Sequence, residues 1–397
     1  MQLSDRLKRL GTETAFAISE QAAKWASQGN KVYPFHLGDL NIPTPGNVVE
    51  AATKAIADGK TGYAPPAGIA PLREALARDI GGRRGVTYEP ENISVQPGGK
   101  PLISKFISAV MNPGHEVLYP NPGYPIYESQ IEFQGGVAVP YGYVQTKEGF
   151  AIDMDRLFRS ITDRTAILIY NNYQNPISAE SSEEEMRILA ELAVERDLWV
   201  LSDEVYFEIR YGGKPQSIVA LPGMLERTVI LYTFSKKFAM TGWRLGAGIG
   251  PEKVIKVITK LNTNHESCSN HFIQWAMVDG LNGDQSGPER ILEILKERRD
   301  AAVDALNGID GIDVALPNST FYLFPNVTSV MERKGFTDID ELQTEALHET
   351  GVSFCTRNHF GRPLADEQDF YIRLAYSGID VENIEEGLGR LKEYFEA

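Results

Sequence analysis

Three stretches of this chain place chemically capable side chains where they could act. The first is TFSKKFAMTGWRLG, from Thr233 to Gly246. Lys236 stands directly after an apolar run, an odd position for a solvated charge. A desolvated lysine has a lowered pKa and is a nucleophilic amine able to form an imine with a carbonyl. Its neighbour Lys237 points the other way and is expected on the surface. Arg244 follows a short loop and can grip an anion through two parallel hydrogen bonds. The second stretch is SDEVY, which puts Asp203 and Tyr206 at the end of another apolar run. That carboxylate suits a helix cap, a structural acid or a metal ligand, and no His or Cys lies near it to complete a metal set. The third is QPGGKPL, where Gly98 and Gly99 precede Lys100. Glycines between a strand and a helix start present backbone N–H groups to a phosphate. The stretch is not a Walker A loop, because the upstream glycine and the Ser/Thr after Lys100 are missing. GAGIG, Gly246 to Gly250, opens a strand-like stretch and is no dinucleotide fingerprint. His265, Cys268 and His271 have metal-like spacing, but nothing nearby would activate a bound water, so no metal is expected.

These residues need a frame to bring them together. AILIY (Ala166 to Tyr170), LWVLSDEV (Leu198 to Val205) and TVILYTF (Thr228 to Phe234) are short apolar runs rich in β-branched residues and read as buried parallel strands. Between the first two, SSEEEMRILAELAVERD predicts a helix. Ser182 and Glu185 suit a capping box, and Met186, Leu189 and Leu192 share one face. Strand, helix and strand at this spacing make a right-handed βαβ unit. ENISVQPGGKPLISKFISAVMNPGHEVLYP repeats the alternation. In an open parallel sheet, ligands bind beyond the carboxyl ends of the strands, which is where Asp203, Lys236 and the Gly98-Gly99 turn fall. From about Pro251 long helices are expected. Short strands near Ile312 to Leu316 and Phe321 to Phe324 follow, then a helix near Ile339 to Glu349, the strand YIRLAYS (Tyr371 to Ser377) and a last helix to Glu396. The expected fold is α/β: a large lobe with a mostly parallel sheet flanked by helices, and a small α+β lobe. The boundaries expected are an N-terminal segment over 1–45 that packs with the small lobe, a large domain over 46–285 and a small domain over 286–397.

The chain has 397 residues and a formal net charge of -15. That charge repels phosphate backbones, and Arg83-Arg84 is too short to be a basic patch, so no nucleic-acid partner is expected. Two cysteines, Cys268 and Cys355, make no disulfide framework and point to a reducing compartment. The N-terminus lacks a secretory h-region, and no apolar run approaches the ~20 residues that span a bilayer. A cytoplasmic protein without a membrane partner is expected.

The motif SKKFAMTGWRLG, Ser235 to Gly246, resembles the SKxxxxxGWRxG signature of the class I/II aminotransferases, fold-type I enzymes that use pyridoxal 5'-phosphate. SDEVY resembles their cofactor-nitrogen motif. FHLGDLNIPTP, TGYAPPAGIAPLREALA, GGK, YPNPGYPIY and YIRLAYS have counterparts in the same order, so the likeness runs nearly end to end. The resemblance implies that Lys236 carries the cofactor as an imine and then shuttles a proton, while Asp203 pairs with the pyridine nitrogen. Tyr206 and Asn175 would meet the 3' oxygen. The backbone N–H groups of Gly99 and Lys100, the hydroxyls of Thr233 and Ser235, and Arg244 would hold the phosphate, and Tyr124 would stack on the ring. Arg373 would clamp the substrate carboxylate, with Gly38 close to it, and Tyr63 would reach the neighbouring subunit of a homodimer with shared sites. Substrates would be amino acids and 2-oxo acids.

In an aspartate-using branch of the family the GGK lysine meets the distal carboxylate, helped by an S-x-T. Lys100 and Thr12-Glu13-Thr14 favour an aspartate- or glutamate-like substrate on that likeness, although Glu13 adds a charge of the wrong sign. Three departures bear on the pocket. NYQNPIS replaces NPxNPTG, so Ile177-Ser178 stand for Thr-Gly. TRNHFG replaces PGxxFG, which places Arg357 and His359 near the substrate mouth. His36 precedes Leu37-Gly38, close to the site. The alternative to transamination is a lyase or oxidase acting on a non-standard amino acid through the same scaffold.

Overall fold

The computed structural model describes residues 2–12 and 14–397. Its centre is a seven-stranded sheet in the order Ile93–Gln96, Gly246–Ile249, Thr228–Thr233, Trp199–Asp203, Thr165–Tyr170, Glu116–Pro120, Val137–Tyr141. Gly246–Ile249 runs antiparallel to both neighbours, and the other pairs are parallel. Thr228–Thr233 is buried at every position, which is why it reads as one apolar run instead of an alternation. The register sets Asp203 opposite Leu231 and Gly246 opposite Thr233. The end of the Asp203 strand and the turn that carries Lys236 therefore share one edge of the sheet.

Helices cover both faces. Helix Glu183–Glu195 starts with the expected capping box: the Glu185 N–H donates to Ser182 Oγ at 3.1 Å, and the Ser182 N–H donates to Glu185 Oε2 at 2.7 Å. Its Met186, Leu189 and Leu192 pack with Leu168 and Val200 of the sheet and with Leu198 just before it. Each such side chain removed from water stabilises the fold by about 1.5–3 kcal/mol.

The second lobe holds a three-stranded sheet of Tyr322–Leu323, Ile372–Ala375 and Cys355–Thr356. Helices Ser286–Asn307, Ile339–Thr350 and Val381–Glu396 bury Leu295, Leu342 and Leu388 in its core. The strand expected over Ile312 to Leu316 does not form. The Asn307 side chain takes both backbone groups of Val314, accepting from its N–H at 2.8 Å and donating to its carbonyl at 3.1 Å. An amide side chain thus does what a neighbouring strand would, and the apolar alternation records only that Ile312 and Val314 face the core. Helix Ala15–Ser27 lays Trp25 against His348, and Tyr33–Pro34 pairs with Val352–Ser353. Among the described residues no helix is long and apolar enough to cross a membrane.

Candidate active site

A cavity of about 600 Å³ opens where the parallel strands end, between the two lobes. The large lobe contributes Gly99, Lys100, Tyr124, Asn175, Asp203, Tyr206, Thr233, Ser235, Lys236 and Arg244 to its wall. Gly38 and Arg373 close it from the other side. Residues separated by more than three hundred positions thus meet in one space.

Asp203 is the last residue of its strand and is buried. Its Oδ2 accepts from the Tyr127 hydroxyl and its Oδ1 from the Val205 N–H at 3.3 Å. Burial pushes its carboxyl up to about 6, against the pull of those two donors. Lys236 sits in the turn after Thr228–Thr233, and its Nζ donates to the Gly38 carbonyl at 2.8 Å. Lys237 is a correction to the sequence reading. It is only 6 % exposed, its Nζ makes no hydrogen bond to the described residues, and burial lowers its pKa. The turn has no solvent side: beyond the cavity it is covered by helix Ala70–Arg84, whose Leu76 and Ile80 share a core with Phe238.

At one end of the cavity lie the groups expected to meet the phosphate. Gly98 has φ +97°, and a Cβ there would stand 2.2 Å from Arg244 Nη2, so only glycine lets the guanidinium approach this backbone. The Arg244 Nη1 donates to the Thr241 carbonyl at 2.8 Å. The Thr233 and Ser235 hydroxyls are 2.9 Å apart, and Gly99 caps the N-terminus of helix Lys100–Val110. Lys100 Nζ is 5.7 Å from the centroid of the Tyr124 ring.

At the other end, the Arg373 guanidinium lies between the rings of Tyr322 (4.7 Å) and Phe360 (4.8 Å). It donates to Asn175 Oδ1 at 3.3 Å and to the His36 carbonyl, while its buried Nε has no partner among the described residues. The Tyr206 and Tyr322 hydroxyls are 2.6 Å apart. Tyr63 stands away from this chain's cavity and is 89 % exposed.

The departures from the family pattern fall in different places. The His36 ring is turned away and bonds to Ser353 Oγ at 2.7 Å; burial and then Arg373 lower its pKa to about 4. Arg357 is not at the mouth. It is buried, forks onto Glu367 at 2.5 and 2.9 Å and donates to Asn121 at 2.6 Å, because a guanidinium under this loop satisfies carbonyls and a carboxylate that the chain cannot expose. His359 does line the cavity. Ser178 adopts φ +55° where the family has glycine, and its hydroxyl is 2.6 Å from Thr320 Oγ1 and 2.7 Å from the Tyr322 carbonyl. His271 is held by Gly62 and Trp275, and the Ala64 N–H donates to Cys268 Sγ at 3.4 Å.

Sequence reasoning missed two residues of the site. Tyr127 had a signal, since it stands one turn after Tyr124 at the start of helix Ile126–Phe133. Tyr322 had none, because it lies in an apolar stretch that reads as core.

The residues fit pyridoxal phosphate. A buried carboxylate with a raised pKa is ready for a cationic ring nitrogen, and the Gly98 turn with Arg244 forms a cradle that any Cβ would fill. The model of the family described as "Aminotransferase class I and II" matches residues 31–391. The aspartate/prephenate aminotransferase of Thermus thermophilus is 33% identical over 397 residues, covering 98% of this chain and 97% of that protein. The aspartate aminotransferase of Bacillus subtilis is 31% identical over 400 residues, 100% of this chain and 99% of the relative. A solved structure of Thermus thermophilus aspartate aminotransferase with maleate superposes with a TM-score of 0.90 at 32% identity, covering 99% of both chains. The chain belongs to the class I and II aminotransferases, with the fold-type I architecture, and is a pyridoxal-phosphate-dependent amino acid aminotransferase.

Proposed function

We propose that the enzyme takes its amino group from an acidic amino acid of aspartate or glutamate type and passes it to a 2-oxo acid. The observation that carries this reading is the pair of cationic side chains, Lys100 and Arg373, on the wall of the cavity that holds Lys236. Two cations suit a substrate with two carboxylates, and a buried guanidinium binds one of them through a planar fork that lysine lacks. Curated relatives named for aspartate favour the same class. Of Thr12-Glu13-Thr14, Glu13 lies outside the described residues; Ala15 and Phe16 form the nearby wall.

When bound, pyridoxal phosphate supplies an aldehyde that condenses with amines and a ring that takes up the electron pair released at the substrate Cα. Lys236 would hold the cofactor and, once the substrate's amino group has displaced its amine, would take the proton from Cα and deliver it to the cofactor carbon that bore the aldehyde. Asp203 keeps the ring nitrogen protonated. Tyr206 and Asn175 hydrogen-bond the 3' oxygen, and Tyr124 covers the ring face. The backbone N–H groups of Gly99 and Lys100, the hydroxyls of Thr233 and Ser235, and Arg244 hold the phosphate, which leaves the Lys100 ammonium for the substrate. Arg373 orients the substrate carboxylate, so that the bond to be broken faces Lys236. The nearly fully exposed Tyr63 suits a reach into a second copy of the chain, which makes the working unit a homodimer. Cys268 and Cys355 form no disulfide among the described residues, which suits a reducing cytoplasm.

The test is a panel of amino acids mixed with the purified pyridoxal form, following loss of the visible band. Aspartate and glutamate bleaching it far faster than alanine or aromatic amino acids is the expected result. Equal bleaching by alanine would sink the acidic-substrate reading.

A further inference from the structure

We infer that Tyr322 is a positioning residue: its hydroxyl donates to Tyr206 and tunes the grip of Tyr206 on the cofactor's 3' oxygen, beside the substrate clamp Arg373. This rests on the role given above to Tyr206. The Tyr206 and Tyr322 hydroxyls are 2.6 Å apart in a buried setting, and their rings meet edge to face with centroids 5.5 Å apart. A phenol whose hydrogen points at a cofactor oxygen has only its lone pairs left for a neighbour. In that arrangement Tyr322 must be the donor and Tyr206 the acceptor. Accepting a hydrogen bond polarises the Tyr206 O–H and strengthens its own donation, an effect of about 10–30% per bond.

Three features hold Tyr322 in place. Gly38 makes room for it: a Cβ at Gly38 would lie 2.3 Å from the Tyr322 hydroxyl oxygen. The Gly38 carbonyl meanwhile accepts from Lys236 Nζ, so one glycine serves both side chains. Arg373 lies over the Tyr322 ring at 4.7 Å, which places the carboxylate clamp against the same phenol. Ser178, at φ +55° in a turn that resembles a glycine position in the family, bonds to the Tyr322 carbonyl at 2.7 Å. A serine accepts strain there and in return ties the Asn175 turn of the large lobe to the strand that carries Tyr322. The charged or titratable groups that bear on the pair are Arg373 and Asp203, besides the two phenols themselves, and Lys236 lies over the ring of Phe321, which packs edge to face on both.

The experiment is a spectroscopic pH titration of the visible band of bound pyridoxal phosphate, without substrate, in wild type, Tyr322→Phe, Tyr206→Phe and the double variant. Tyr322→Phe keeps the ring under Arg373 and removes only the hydroxyl. Its midpoint should rise by about 0.2–0.6 pH units, as the 3' oxygen loses part of its hydrogen bond. In the Tyr206→Phe background the same change should do nothing, because the path runs through Tyr206. Ser178→Gly should move the midpoint in the same direction by less. An unmoved midpoint in Tyr322→Phe, or an equal shift with and without Tyr206, overturns the proposal. The larger rise expected of Tyr206→Phe alone tests the Tyr206 role separately, so failure of that role is distinguishable from failure of this inference.

Discussion

The Tyr127 hydroxyl donates its hydrogen to the Asp203 carboxylate, with both groups buried at the floor of the cavity. A carboxylate raised by burial is kept usable by this donor and by the Val205 N–H. Tyr127→Phe leaves Oδ2 without its partner and raises the Asp203 pKa further. Pyridoxal phosphate should then bind about tenfold more weakly or worse, since hydrogen bonds to charged groups are the strong ones. Equilibrium dialysis of the cofactor measures this, and an unchanged affinity would reduce Tyr127 to packing.

The two adjacent lysines should separate cleanly. Lys236→Ala is expected to abolish the visible band of bound pyridoxal phosphate and nearly all turnover. Lys237→Met should leave the band intact. It should also raise the melting temperature by about 1–3 °C, because it replaces a buried ammonium that makes no hydrogen bond to the described residues with an apolar chain of similar length. Absorption spectra and thermal melts of both variants decide the matter.

Lys100→Ala should raise KM for aspartate by about tenfold or more and leave KM for alanine nearly unchanged, the signature of a lost contact to a distal carboxylate. Steady-state kinetics with both donors checks it. Equal effects on the two would assign Lys100 to the cofactor or to the fold instead.

His36 predicts a pH dependence of stability. Its folded pKa, about 4, lies below its ordinary 6.5, because burial and then Arg373 oppose the charged ring. Above pH 6.5 the ring is neutral in both states and costs nothing. As pH falls from 6.5 toward 4 the unfolded chain takes up a proton that the folded chain refuses, so stability is lost by at most about 3 kcal/mol. His36→Asn should lack this component. Urea unfolding of both proteins at pH 7.5 and 4.5 measures the difference, and parallel losses would contradict it.

Much of this was legible in the residues alone. Lys236 and Asp203 stand at the ends of apolar runs whose type is unambiguous, and the capping box at Ser182 and Glu185 uses contacts only three residues apart. Local rules of this kind need no tertiary structure. The likeness of SKKFAMTGWRLG and its companions to a known family supplied the order in which distant residues converge.

What the tertiary structure decided concerns surfaces shared by distant segments. Lys237 looked exposed because a strand end usually has an open side, and only the packing of helix Ala70–Arg84 closes it. Ile312 to Leu316 alternates as a strand does, yet Asn307 takes its backbone bonds. Arg357 reads as a mouth residue until Glu367 and Asn121 are seen to enclose it. Tyr322 carries no mark in sequence, because a phenol in an apolar run is core or catalytic according to what lies opposite its hydroxyl. Period, capping and strand ends are properties of neighbouring residues, so the chain alone determined them. Burial and partnership depend on residues hundreds of positions away, and only the folded molecule assigns those.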